Sequence, residues 1–532
     1  MFVRVKPSGR RKYLQVAESY RDGRQVRQRI VCTLGRLDKL QAEGNIDGLM
    51  KSLARFATQV RIVEGHRSGR LRAGEMRRTG PALVVEKMWK DLGLDRVIKG
   101  ELKQRRFGFS VERAIFLTVL HRLFAQGSDR AAEKWKRDYE IEGADEVSLH
   151  HLYRAMGWLG ENKDDVEKSL FVSTRDLFTE LDMVFFDTTS IYFEGRGGDT
   201  LGQYGRSKDH RPDLKQMVVG TALDGEGRPV SCEMWPGNKS DAKALVPAID
   251  RLRERFGIER ATAVADRGMI SKKTISDLEK RGLGYILGAR MRSVNEVKLR
   301  VLSRAGRYRE VRENLRVKEV KVEGRRYVVC HNPDQAKKDK ADREAILASL
   351  PGALKKGAKS LVGNKGYRKY LAVERGSVSI DRAKAKEEAR YDGKFVLQTN
   401  LDLGAADVAL KYKELWRVER AFRTVKSVLE TRPIYHKCDD TILGHVFASF
   451  LALVVMHEID RKLAAKGLDL EWEDVKQDLQ ALAEVEVFEG EETYWLRTEL
   501  KGVAGKVLSA CGIRIPVMVR PGSLRPAPPV PD

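Results

Sequence analysis

Hydrophobic patterning divides the 532-residue chain into stretches of different period. Residues 11–34 alternate polar and apolar around Arg21-Asp22-Gly23-Arg24, which predicts a hairpin with a tight Asp-Gly turn. Residues 40–78 are Arg-rich with weak periodicity and read as a helix and linker. From Pro81 to about Phe178, apolar positions recur at helical spacing over 82–89, 111–124 and 149–159, predicting a helical domain. At Leu181 the period changes: 183–193 is a β-type run, and 216–222 and 229–235 read as strands joined by the turn Asp224-Gly225-Glu226-Gly227. A helix at about 242–256, a strand at 262–265 ending on Asp266, a helix at 271–281 and a strand at 284–287 follow. The order β-β-β-α-β-α-β predicts a mixed α/β sheet with helices packed on it.

Residues 290–393 break that rhythm. Residues 315–322 alternate strictly and turn at Glu323-Gly324-Arg325 into 326–330, a hairpin with a basic face, while 335–350 and 382–390 are highly charged and read as helical or mobile segments. The core resumes with a strand at 394–399, a helix over 411–426 and an apolar helix over 442–459. After Asp469 an acidic helix leads into a Pro-rich tail ending Arg525-Pro526-Ala527-Pro528-Pro529-Val530-Pro531. The expected organisation is a basic amino-terminal segment (1–80), a helical domain suited to nucleic-acid or dimer contacts (81–178), the first part of an α/β core (179–290), a β-rich insertion (291–393), the second part of the core (394–465), and a carboxy-terminal helix and tail (466–532).

Charge narrows the choice of partner. With 100 Lys and Arg against 76 Asp and Glu the net charge is +24, which in a protein of this kind points to a polyanion, nucleic acid first. Residues 1–80 carry 19 basic and 7 acidic residues, half of that excess, as an electrostatic footprint would. The five cysteines form no CxxC pair, arguing against a zinc module or disulfide framework and for a reducing, cytoplasmic setting. The start lacks an apolar signal region. The longest apolar run, 446–456, is short of the ~20 residues that cross a bilayer and reads as a buried helix.

The helix at 411–426 has one feature that packing alone does not require. Tyr412, Glu419 and Lys426 are seven residues apart, about two turns, so they share one edge beside the apolar stripe Leu415, Val418, Phe422, Val425 and Leu429. An amphipathic surface helix with solvated charges would look similar. Upstream, Asp187 and Asp266 each end an apolar strand, where an open sheet presents its chemistry. Three convergent carboxylates suit hard divalent cations, Mg2+ or Mn2+, and a two-metal site activates an attacking oxygen and stabilises a leaving one. In a basic protein this suggests phosphodiester chemistry.

The element order, together with FFDTTS around Asp187, VADRGM around Asp266 and YKELWRVERAFRTVK around Glu419, resembles the DDE insertion-sequence transposases with an RNase H-like core. More narrowly it resembles the IS-four superfamily, the branch with a Y-(2)-R-(3)-E-(6)-K signature. The resemblance covers about residues 180–460. It implies metal-dependent cleavage at the element's terminal inverted repeats, then attack of the freed 3′-hydroxyl on target double-stranded DNA, by a homodimer in the DNA complex. It also implies that Asp187, Asp266 and Glu419 hold the metals, that Tyr412 and Lys426 contact DNA phosphates, and that a β-rich insertion separates the second and third acids. A nuclease on the same core without strand transfer, or a DNA-binding protein that has lost catalysis, are the competing readings.

One position departs from the signature. Leu415 stands where an arginine is expected, and leucine cannot hold a phosphate. Arg423, four residues after Glu419, is the expected replacement. The stretch YGRSKDHRPDLKQ also resembles the family, and its Lys208, His210, Arg211 and Lys215 are expected to touch DNA near the cleaved bond. Ser240 or Asp241 reads as a helix cap.

Overall fold

The alternation at the amino terminus does form a hairpin, and a preceding strand completes a three-stranded antiparallel sheet: Phe2–Ser8 (β1), Arg11–Asp22 (β2) and Gln25–Arg36 (β3). The computed structural model describes the chain except residues 23–24, 44, 55–65, 67, 103–104, 175–181, 259–260, 357–360, 362, 375–376 and 523–532. Pairing of β2 with β3 ends at Asp22 opposite Gln25; Gly23 and Arg24 of the expected turn, and the Pro-rich tail, lie outside the described residues. Leu71–Arg78 (β4) is a strand where the sequence suggested a linker.

The chain divides into two units, one of residues 1–77 with 483–499 and 516–532, the other of 78–482 with 500–515. In the larger unit Val111–Phe124 (α1) and Leu149–Glu161 (α2) precede the sheet. Its strands are Met183–Tyr192 (β5), Gln216–Leu223 (β6), Pro229–Pro236 (β7), Thr262–Ala265 (β8), Gly284–Ala289 (β9), Arg309–Arg312 (β10), Leu315–Val322 (β11), Arg325–His331 (β12), Leu371–Glu374 (β13), Ser377–Ile380 (β14) and Lys394–Thr399 (β15). β5, β6 and β7 form an antiparallel meander, and β8 and β9 add in parallel on the other side of β5. The order β9-β8-β5-β6-β7 is an RNase H-like core.

The insertion does not stand apart from this core. β15 pairs antiparallel with β9, β12 with β15, and β11 and β10 follow, so the sheet has nine strands. The free backbone of the β9 edge is thereby covered rather than left open. Within the insertion the charged stretch read as helical or mobile forms the 24-residue helix Pro333–Lys356. That helix packs with the β13–β14 hairpin on a small core of its own around Leu350, Tyr370 and Leu371.

The second half of the core carries Ala405–Lys413 (α3), Trp416–Arg423 (α4) and Asp439–Ala464 (α5). By length and composition α5 alone among the described helices is apolar enough to cross a membrane, but its apolar window is 83% buried inside the protein. The helices at 81–178 were expected as a separate domain; instead they share one hydrophobic core with the sheet and α5. α2 and α5 touch at two glycines: a Cβ on Gly160 would lie 1.9 Å from the Asp440 carbonyl, and one on Gly444 1.9 Å from that of Met156. Only bare backbone allows that approach. In the smaller unit Ala483–Glu489 (β16), Glu492–Arg497 (β17) and Val519–Pro521 (β18) join β4 in a four-stranded sheet, so the region after the acidic helix is more than a tail.

Candidate active site

Asp187 is the fifth of ten residues in β5 and not its last. The strand runs on because Thr188 to Tyr192 keep pairing with β6. On its other side β8 stops one residue earlier, with Phe186 opposite Ala265. Asp187 and Asp266 are therefore the next residues of two adjacent parallel strands, and their carboxylates face a common space. The effect on Asp187 is electrostatic: burial pushes its carboxyl up to about 6, the Lys208 ammonium pulls it back, and Asp266 and Asp241 push it further up. The backbone N–H of Thr188 donates to Asp187 Oδ1 at 2.7 Å.

The expected single helix over 411–426 is broken. α3 ends at Lys413, Leu415 starts α4, and Thr424–Val428 continues as one π-helical turn. Three-residue hydrogen bonds, Leu415 N–H to Tyr412 O and Val418 N–H to Leu415 O, tighten the backbone at the break. The apolar stripe is as patterned: Leu415, Val418, Phe422, Val425 and Leu429 are buried, with α4 against β5 and β6. Leu415, at the signature's arginine position, belongs to this core.

The three edge residues differ in surroundings. Tyr412 donates its hydroxyl to Asp266 Oδ1 at 3.2 Å, and burial first, then the charge of Asp266, raises its pKa above that of an ordinary tyrosine. Glu419 is exposed and acts on Tyr412 as a further negative charge. Lys426 donates to Asp209 Oδ1 at 2.7 Å, with its side chain 13% exposed. Burial lowers its pKa, against the pull of Asp209.

The loop between β5 and β6 comes to the same place. Lys208 Nζ donates to the Thr188 carbonyl at 2.6 Å and hydroxyl at 3.0 Å, and lies 3.4 Å from Asp241 Oδ2. His210 is exposed, in a left-handed conformation at φ 57°. Arg211 pairs with Asp213 at 2.8 Å, and Lys215 donates to the Arg196 carbonyl at 3.3 Å. Arg423 is exposed on α4, and no described residue pairs with its guanidinium. Ser240 makes no side-chain cap. Asp241 instead accepts the Thr188 hydroxyl at 2.7 Å, making it a third aspartate beside Asp187 and Asp266. Its position beside Asp187 comes from the β7 connection, which no local pattern announces; the same is true of Asp209.

These donors are carboxylate and hydroxyl oxygens, the chemistry that hard cations such as Mg2+ or Mn2+ select. The negative charges of Asp266 and Asp241 that push Asp187 up are also those a cation between them would relieve. Among the described residues no three acids or histidines stand together at ligand distance, so neither Glu419 nor Asp241 completes a ligand set with Asp187 and Asp266.

Residues 3–68 match the amino-terminal domain of IS1634 family transposases, and residues 179–455 match the transposase DDE domain. A cryo-EM structure of a piggyBac transposase synaptic complex with hairpin DNA is similar at 10% identity and a TM-score of 0.37, over 75% of this chain and 77% of that one. No curated protein matches the chain.

Proposed function

We propose that this chain, which belongs to the DDE transposase family, cuts DNA at the ends of its own element and joins the freed 3′-hydroxyl to target DNA, as a member of the branch bearing the Y-(2)-R-(3)-E-(6)-K signature. The observation that carries this reading is the register of β5 and β8, which brings Asp187 and Asp266 side by side. Asp187, Asp266 and Glu419 would hold Mg2+ or Mn2+, which when bound activates the attacking oxygen and stabilises the leaving one. In hydrolysis a water oxygen attacks phosphorus and the 3′-oxygen departs, taking up a proton. In strand transfer that 3′-hydroxyl attacks a phosphorus of the target and a second 3′-oxygen leaves.

The chain's own residues orient this chemistry. Tyr412 holds one oxygen of Asp266, and the Thr188 amide holds one of Asp187. Lys208, fixed by Thr188 and Asp241, sets a cation beside the half-buried Asp187, where a strand's phosphate would meet it. Lys426, His210, Arg211 and Lys215 are further phosphate contacts on the same side.

Asp187→Ala, Asp266→Ala and Glu419→Ala are each expected to abolish Mg2+-dependent cleavage of a duplex ending in the terminal inverted repeat, with DNA binding retained. Cleavage that survives any of these changes sinks the assignment. Product that never joins a second duplex would make the protein a nuclease rather than a transposase.

A further inference from the structure

Leu415 is buried among apolar side chains, so the phosphate-binding arginine of the signature has no counterpart at that position. Another arginine sits on the other side of the site. Residues 430–434 form a strap fixed at both ends: the Thr431 amide and hydroxyl donate to the Val425 carbonyl at 3.2 and 2.9 Å, and Ile434 exchanges backbone hydrogen bonds with the end of β5 through Tyr192 O and Glu194 N–H. Arg432, in the middle of the strap, pairs through Nη1 with the same Asp209 oxygen that binds Lys426. Its guanidinium lies over the Tyr192 ring at 5.8 Å, and that of Arg211 lies 5.6 Å from the same ring.

Two cations thus share one carboxylate oxygen, and positive charge is left over. The other oxygen, Asp209 Oδ2, is buried without a partner, so Arg432 does not close a two-pronged grip on Asp209 and keeps N–H groups available. Arg432 and Lys437 line a cavity of about 560 Å³, with Tyr153 and Tyr435 on its wall. Arg423 lacks this setting: it is exposed, and nothing described holds it in one orientation.

We propose that Arg432, seated on Asp209 beside Lys426, is the arginine that grips the DNA backbone phosphate at this site, in place of the signature position occupied by Leu415. A guanidinium held at one edge by a carboxylate and stacked on a tyrosine is pre-ordered, so little freedom is lost when its other edge meets a phosphate. The inference rests on the DNA-cutting reading only in taking DNA as the ligand.

The test is binding of the full-length protein to a duplex ending in the inverted repeat that flanks its gene, followed by fluorescence anisotropy over a salt series without divalent cation. Arg432→Ala is expected to weaken binding several-fold and to reduce the slope of log K against log salt by about 1, while Arg423→Ala changes neither. Arg432→Lys keeps a cation for Asp209 and is measured as well, in case the alanine protein does not fold. It is expected to keep the slope and still bind several-fold more weakly, because lysine has no fork and no planar face. A slope that falls with Arg423→Ala and not with Arg432→Ala, or an Arg432→Lys protein that binds as tightly as the unaltered one, overturns the proposal. Failure of the unaltered protein to cleave would instead count against the transposase reading, since this assay needs no cleavage.

Discussion

The Tyr412 hydroxyl reaches the Asp266 carboxylate at 3.2 Å by passing over the bare backbone of Gly288, where a Cβ would stand 2.5 Å from that hydroxyl. Tyr412, expected from the sequence to meet a DNA phosphate, holds the Asp266 carboxylate, and a glycine in β9 makes room for it.

Tyr412→Phe removes that hydrogen bond and keeps the ring. Partners that orient a metal-holding side chain typically cost 10–100-fold when removed, so single-turnover cleavage should slow by about that factor. Gly288→Ala should do the same by displacing the Tyr412 hydroxyl. Unchanged cleavage in the alanine variant would show that Tyr412 can work from elsewhere.

Asp241 ties Thr188 and Lys208 together beside Asp187. Asp241→Asn keeps the size and the hydroxyl contact but removes the charge that holds Lys208. The expected outcome is slower cleavage at saturating DNA, on the order of tenfold, at little cost in affinity. Asp241→Glu should recover part of the rate. If only thermal stability changes, Asp241 is a packing residue.

Restoring the arginine with Leu415→Arg should not improve the enzyme. The side chain would enter an apolar core with no acceptor, and a buried unpaired charge costs several kcal/mol, about 3 or more. Urea denaturation should show a large loss of stability or an insoluble protein. A stable Leu415→Arg protein with faster cleavage would mean that the core opens toward DNA at this point.

Acid should weaken the larger unit before the ordinary carboxylates titrate. Burial, and next the charge of Arg122, lowers the His121 pKa to about 4; burial, then Arg228, lowers that of His457 to about 4. In the unfolded chain both sit near 6.5. Between these values the unfolded state binds more protons, so this stability is full above pH 6.5 and is lost as pH falls toward 4, by up to about 3 kcal/mol per histidine. Asp187, raised to about 6, has the opposite sign, as do the raised Glu167, Asp224 and Asp460, while His436 and His445, lowered by burial, add to the loss. The urea midpoint should fall from pH 7 to pH 5, less so in His457→Gln; a flat midpoint would contradict the buried, neutral histidines.

Much of this molecule is legible in residue order. Apolar runs bounded by turns mark β5 to β9, because a strand buried on both faces must be apolar throughout, and the order of strands and helices then leaves few ways to close the sheet. Asp187 and Asp266 stand out as candidates in the same stretches, although Asp187 lies in mid-strand and not at the end where the pattern put it, and Glu419 stands out by its place on a helix edge. Contacts that join distant segments were not legible. Asp241, Asp209 and Arg432 look like ordinary loop charges, and they reach the site only because β7, the β5–β6 loop and the strap after α4 meet at one end of the sheet. The break at Leu415 was hidden for a related reason: seven-residue spacing describes a straight helix, while the sheet beneath it decides where the helix bends. Sequence by itself determined which residues could form the core and carry the chemistry, through local periodicity and side-chain type. Only the tertiary structure decided which charges pair with which, because that depends on distances set by packing and not by spacing along the chain.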